Sequence, residues 1–103
     1  MKNINYYINE SLENSIKDII KKGIEKQYNE DLLKDDASVV ISKYSKIKLG
    51  LEENKKENIE WVKEIFKNSC KQNNMIYSEK LWNDNKNMLI LIAESYIEKY
   101  CEQ

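Results

Sequence analysis

Carboxylates at helical spacing are the first groups in this chain that could do chemistry. Glu53 and Glu57, Glu60 and Glu64, and Glu94 and Glu98 are such pairs. On a helix each pair shares one face, where two carboxylates can serve as acid and base or hold a divalent cation. Each also has a lysine within a turn (Lys56, Lys63, Lys67 or Lys99), so ion pairing on a solvated face accounts for them without catalysis. Carboxylate sites in helical bundles normally add a histidine from a Glu-x-x-His motif, and this chain has no histidine. Cys70 and Cys101 cannot complete an ordinary zinc site by themselves. No metal and no cofactor are expected.

The same absence removes the commonest general base, the one side chain that titrates near neutrality unaided. Nucleophilic serine needs a base and a sharp glycine turn, and phosphate loops need glycine runs; Gly23 and Gly50 can build neither. No catalytic residue is assigned, and the expectation is a protein that is not an enzyme.

There is no arginine either, so all 17 cations are lysine. That removes the rigid bidentate fork for phosphate, carboxylate or guanine. Ile, Lys, Asn and Tyr are all plentiful and share A/T-rich codons, so the absences limit mechanism without testifying to selection. Lys43, Lys46 and Lys48 lie in an acid-free segment beside Tyr44, and Lys21, Lys22 and Lys26 form a second group. The segment around Gly50 resembles a helix-turn-helix in outline. In detail Lys46 and Lys56 occupy positions that should face inward, and Glu52, Glu53, Glu57 and Glu60 would face the phosphates.

Aromatic side chains point instead to recognition of protein. Trp82 shares an apolar side with Leu89 and Tyr100 and is read as core. Trp61 lies roughly 100° from the axis through Ile59, Val62 and Phe66, at the edge of its stripe. It either closes a seam between helices or anchors a partner. Tyr6, opposite Ile8 and Ile16, is a second anchor candidate.

The elements that must position these groups read as helix throughout. With no proline and two glycines, the strongest chain breakers are nearly absent. Ile4, Ile8, Leu12, Ile16, Ile19, Ile20, Ile24 and Tyr28 recur at steps of three and four, which predicts a helix over about residues 4–28. Gly23 costs about 1 kcal/mol there relative to alanine unless it serves a close crossing or a bend. Asn29 to Asp36 read as a connection tucking Leu32 and Leu33 inward. Asp35 or Asp36 caps a second helix with Ala37, Val40, Ile41, Tyr44 and Ile47 on its face, and Gly50 stands where a left-handed cap is expected. Asn54 and Glu57 resemble a capping box opening a third helix with Ile59, Val62, Ile65, Phe66 and Cys70. Asn73 and Asn74 read as its stop. Ser78 then starts a fourth helix toward Tyr100, carrying Leu81, Met88, Leu89, Ile92 and Tyr96.

Within that helix Met88 to Ala93 are apolar all round. Such a helix is either central in the fold or has a second side, Ile90, Ile97 and Cys101, that meets another chain.

Apolar residues at 41%, charged residues at 34% and a net charge of −1 describe an ordinary folded domain. Lysines and acids are mixed along both halves, with no charged tail. The first ten residues hold no apolar signal-peptide core, and six consecutive apolar residues cannot span a bilayer. The expected location is the cytoplasm, where two half-buried thiols are favoured over a bridge.

The expectation is therefore an all-α single domain, residues 1–103, forming a compact bundle of about four helices, or five if the first breaks near Gly23 or the last near Asn85. Its expected function is that of a small non-enzymatic binding module, of inhibitor, immunity-factor, adaptor or mobile-element accessory type. The partner would be a larger protein or ribonucleoprotein, reached through Trp61, Tyr6, Ile90 and Ile97, with a homodimer through the last helix as a further arrangement. The alternative is a nucleic-acid-associated regulator using Lys43, Lys46 and Lys48.

Overall fold

The steps of three and four become four α-helices in the computed structural model, which describes the backbone of residues 4–101 and the side chains of residues 12–101. They are α1 (Ile4–Lys34), α2 (Ala37–Glu52), α3 (Lys56–Gln72) and α4 (Glu79–Ile97), followed by a 3₁₀ turn, Glu98–Tyr100. No strand occurs among the described residues. None of the four is long and apolar enough to cross a membrane, again among the described residues. The protein is a compact all-helical globule, 52 Å along its longest axis.

One core takes its side chains from every helix: Ile16, Ile20 and Ile24 of α1, Val40, Tyr44 and Leu51 of α2, Val62, Phe66 and Cys70 of α3, Leu89, Ala93 and Ile97 of α4. Trp82 belongs to it as well, 4% exposed. Burial of each large aliphatic side chain favours folding by about 1.5–3 kcal/mol. Glu25 meets Tyr96, and one turn further Tyr28 meets Tyr100. Helices α1 and α4 therefore advance side by side in the same direction, with α2 and α3 forming the connection.

Helix α1 runs six residues beyond the expected end. Continuing the steps from Ile24 and Tyr28 brings Asp31 to the inward face, where it is 7% exposed. Leu32 and Leu33, rotated about 100° and 200° from it, point away, and Leu33 is 87% exposed. They do not tuck inward, because a polar network around Asp31 takes the place a leucine would have filled. Neither Gly23 nor Asn85 breaks its helix.

Gly23 serves the close crossing. A Cβ there would overlap Ser69 Oγ and lie 2.8 Å from Ile65 Cγ2, so its bare backbone lets α3 approach α1. Gly50 has the same use and not the expected one: it is buried inside α2, and a Cβ would overlap the Asn58 side chain.

The left-handed residue that ends α2 is Asn54, with φ 54°. The Lys55 N–H donates to the Gly50 carbonyl at 2.8 Å and the Asn54 N–H to that of Leu51 at 3.1 Å, a Schellman closure. Because Asn54 is used this way it cannot form the expected capping box, and α3 starts after Lys55 with no side-chain cap. Asn73 and Asn74 end α3 as expected, with Asn74 at φ 59° and the Met75 N–H donating to the Cys70 carbonyl at 2.9 Å. Asn tolerates this conformation better than other residues with a side chain. Ser78 caps α4, its hydroxyl accepting from the Leu81 N–H at 3.0 Å. Asp36 occupies the cap position of α2 without a side-chain cap bond.

Candidate partner-binding groove

Where α1 and α4 lie side by side, their contact is sealed at one end. Tyr96 donates its hydroxyl to Glu25 at 3.2 Å, and the Tyr28 and Tyr100 rings stack with centroids 3.9 Å apart. On the N-terminal side of that seal the helices leave an open groove of about 460 Å³, with Lys17 and Lys21 on one wall and Leu91, Ile92, Ser95, Tyr96 and Lys99 on the other.

Leu91 is the most exposed member of the apolar run, at 66%. The cause is helical geometry: Leu89, Ile90, Ala93 and Ile97 form the inward face, and Leu91 lies about 200° around from Leu89. The run is therefore neither wholly central nor wholly an interface. Ile90 and Ile97, expected at a partner surface, are core residues at 8% and 0% exposure. A homodimer through the free side of α4 would have to use Leu91 in their place.

No acidic residue lines the groove. Lys17 pairs with Glu13 at 3.2 Å. Lys99 places its ammonium 4.6 Å from the Tyr96 ring centroid and 5.1 Å from that of Tyr100, cation–π contacts that leave its charge unneutralised. Lys21 has no ion pair among the described residues.

At the sealed end a tyrosine-rich cluster surrounds one buried carboxylate. Asp31 accepts hydrogen bonds from Tyr44 Oη at 2.9 Å, Lys43 Nζ at 3.0 Å and Gln27 Nε2 at 3.2 Å. Burial by itself would raise its pKa, but the three hydrogen bonds and the lysine charge outweigh it and hold the carboxyl below its ordinary value. Burial and the neighbouring carboxylate push the Tyr44 phenol well up, so it stays a neutral donor. Tyr44 and Lys43 join α2 to α1 through Asp31, and Gln27 braces the same carboxylate from within α1, which is a structural use.

Trp61 is half-buried and packs edge-on against Tyr44, with centroids 5.9 Å apart and planes at 83°. It fills the seam between α2 and α3. The Tyr6 side chain lies outside the described residues.

The lysines of α2 are mostly engaged. Lys43 serves Asp31, and Lys48 pairs with Glu52 at 2.9 Å. Lys46 alone of the three has no ion pair among the described residues, and it borders a shallow groove with Val39, Ser42 and Asn58. In the second group Lys22 pairs with Asp18 at 2.9 Å and Lys26 with Glu30 at 3.7 Å.

The carboxylate pairs stay apart from one another, and no group of three or more Cys, Asp or Glu able to hold a metal ion occurs among the described residues. Of their neighbouring lysines, Lys55 pairs with Glu53 at 3.6 Å, whereas Lys63 reaches across to Glu79 at 3.0 Å and Lys99 turns to the tyrosines. Both cysteines are free. Burial pushes the Cys70 thiol up to about 11 and raises that of Cys101 as well.

Of the groove residues, Lys17 was not singled out by the sequence, and Lys21, Tyr96 and Lys99 stood there in other roles: a lysine group, an apolar helix face and an ion-pairing partner. Leu91 could have been singled out, as the run member farthest around the helix from its buried face. By architecture the chain is an all-α four-helix protein. No protein-family model, curated protein or solved structure matches it.

Proposed function

We propose that this protein is a small non-enzymatic binding module that acts by engaging a larger protein or ribonucleoprotein through the groove between α1 and α4. The observation that carries the reading is Leu91, 66% exposed in a concave surface and flanked by lysines. Leu33, Ile76 and Leu49 are also exposed, but the chemistry that favours recognition is an apolar anchor point set in a groove with a charged rim. The inhibitor, immunity and adaptor classes all act in this manner, by occupying a partner's surface without chemistry of their own.

Affinity capture from the source cell, with the wild-type chain and Leu91→Ser run side by side, tests the reading. Leu91 is exposed, so the substitution should change stability by no more than about 0.5 kcal/mol. The expected result is a set of retained proteins that the variant loses while its melting temperature holds. Identical retention by both chains would refute the groove as the docking surface.

A further inference from the structure

We infer that the α1–α4 groove takes an acidic, amphipathic helical segment of a partner protein. The inference rests on the reading above that this groove is the docking surface, and it specifies the chemistry of what docks. Lys17 and Lys21 stand on one wall and Lys99 on the other, with no acidic lining residue, in a chain whose net charge is −1. The excess of positive charge among the lining residues is thus local. Lys17 is paired with Glu13 at 3.2 Å, which leaves Lys21 and Lys99 as the groove lysines with no ion pair among the described residues; Asp18 is taken by Lys22 at 2.9 Å, and Glu25 accepts a hydrogen bond from the Tyr96 hydroxyl.

Size and apolar content narrow the ligand further. Leu91 and Ser95 are successive turns of α4 and Lys99 follows in the 3₁₀ turn, so the groove is about 12 Å long, the length of two helical turns. Such a segment can set one or two large apolar side chains on Leu91 and Ile92 while carboxylates on its flanks reach the lysines of both walls, the helix-in-groove mode of recognition. Phosphates of a nucleic acid would satisfy the lysines but leave Leu91 in water. A membrane surface favours a broad apolar face, and this groove offers one exposed leucine.

The test uses the full chain and a fluorescein-labelled peptide of about 12 residues, glutamate and leucine at amphipathic helical spacing, followed by anisotropy. Binding should weaken as salt rises. It should fall about tenfold or more in the triple variant Lys17→Gln, Lys21→Gln, Lys99→Gln, and again in Leu91→Ser. Lys21→Gln alone, at a lysine with no ion pair among the described residues, gives the same direction should the triple variant fold poorly. A peptide with lysine in place of glutamate should not bind. The inference is overturned by no binding at millimolar peptide, by equal binding of the lysine peptide, or by indifference to the lysine substitutions. It is overturned equally if single-stranded RNA or phosphatidylserine vesicles bind with that lysine dependence while Leu91→Ser makes no difference. If Leu91→Ser abolishes capture from the cell while the lysine variants still capture, only the acidic partner is refuted; if Leu91→Ser leaves capture intact, the docking surface itself is refuted.

Discussion

The Tyr44 hydroxyl donates a 2.9 Å hydrogen bond to the Asp31 carboxylate, and both residues are buried. This bond and the Lys43 ion pair beside it tie the last turns of α1 to α2. Tyr44→Phe keeps the ring in its aromatic surroundings and removes one of three donors, so it should cost about 1–2 kcal/mol in urea unfolding. Asp31→Leu should cost more, because it strands the Tyr44 hydroxyl in the core. A Tyr44→Phe protein as stable as wild type would show that the network contributes nothing.

The same carboxyl makes stability depend on acid. Its pKa is lowered on folding from the ordinary 3.8, so the folded state binds that proton less readily than the unfolded chain. Its contribution is complete above about pH 4 and is lost as pH falls through the lower folded value. Melting temperature against pH should therefore fall less steeply below pH 4 for Asp31→Asn than for wild type, from a lower plateau. Parallel acid limbs would show that Asp31 does not carry the dependence.

Gly23→Ala sets two effects against each other. Helix propensity favours alanine by about 1 kcal/mol. The new Cβ would meet Ser69 Oγ and Ile65 Cγ2 across the α1–α3 crossing, and overpacking of that kind costs about 1–3 kcal/mol. The clash should win, and Ser69→Ala in the same chain should restore part of the loss by removing the hydroxyl. If Gly23→Ala raises the denaturation midpoint, the helices are not held at the spacing described.

Asn54 and Asn74 hold left-handed backbone with a side chain present. Replacement by alanine should cost about 1 kcal/mol at each, whereas glycine should be neutral or slightly stabilising. Chemical denaturation of the four single variants compares these directly. Equal effects of alanine and glycine would mean that backbone conformation is not what asparagine supplies.

Trp61→Ala separates the two roles that its place on the stripe edge allows. Because the ring packs on Tyr44 in the α2–α3 seam, its loss should cost about 2 kcal/mol, less than for a fully buried tryptophan. Capture of a partner should persist at temperatures where the variant remains folded. Unchanged stability with lost capture would instead make Trp61 the anchor.

Much of the architecture was legible in local sequence. The stripes through Ile16, Ile20 and Ile24 and through Val62, Ile65 and Phe66 are set by residue type and spacing, whereas the buried face of α4 is turned from the expected Met88, Ile92 and Tyr96, which are only partly buried, toward Ile90, Ala93 and Ile97. The Ser78 cap and the stop at Asn73 and Asn74 depend only on neighbours a few residues away. The misread features are those in which one residue has two local uses. Gly50 suits either a left-handed cap or a close crossing, and only the position of Asn58 on α3 selects the second. Asn54 can open a helix or close one, and the continuation of α2 through Gly50 left it the closing task. Asp31 looked like part of a polar connection until Tyr44 and Lys43 supplied partners for an inward carboxylate.

The candidate site was less legible, because a groove belongs to two helices at once. Lys17 and Lys21 are separated from Leu91 and Lys99 by some seventy residues of chain, and nothing in either segment announces the other. The sequence by itself determined four amphipathic helices, most of the apolar face that the first three bury and a set of side chains without histidine or arginine. Only the tertiary structure decided that Ile90 and Ile97 lie inside, that Leu91 lies outside, and that three lysines surround it. The reason is that periodicity reports the direction of a side chain around its own helix axis. Whether that direction meets a neighbour or water depends on helices placed by contacts far along the chain.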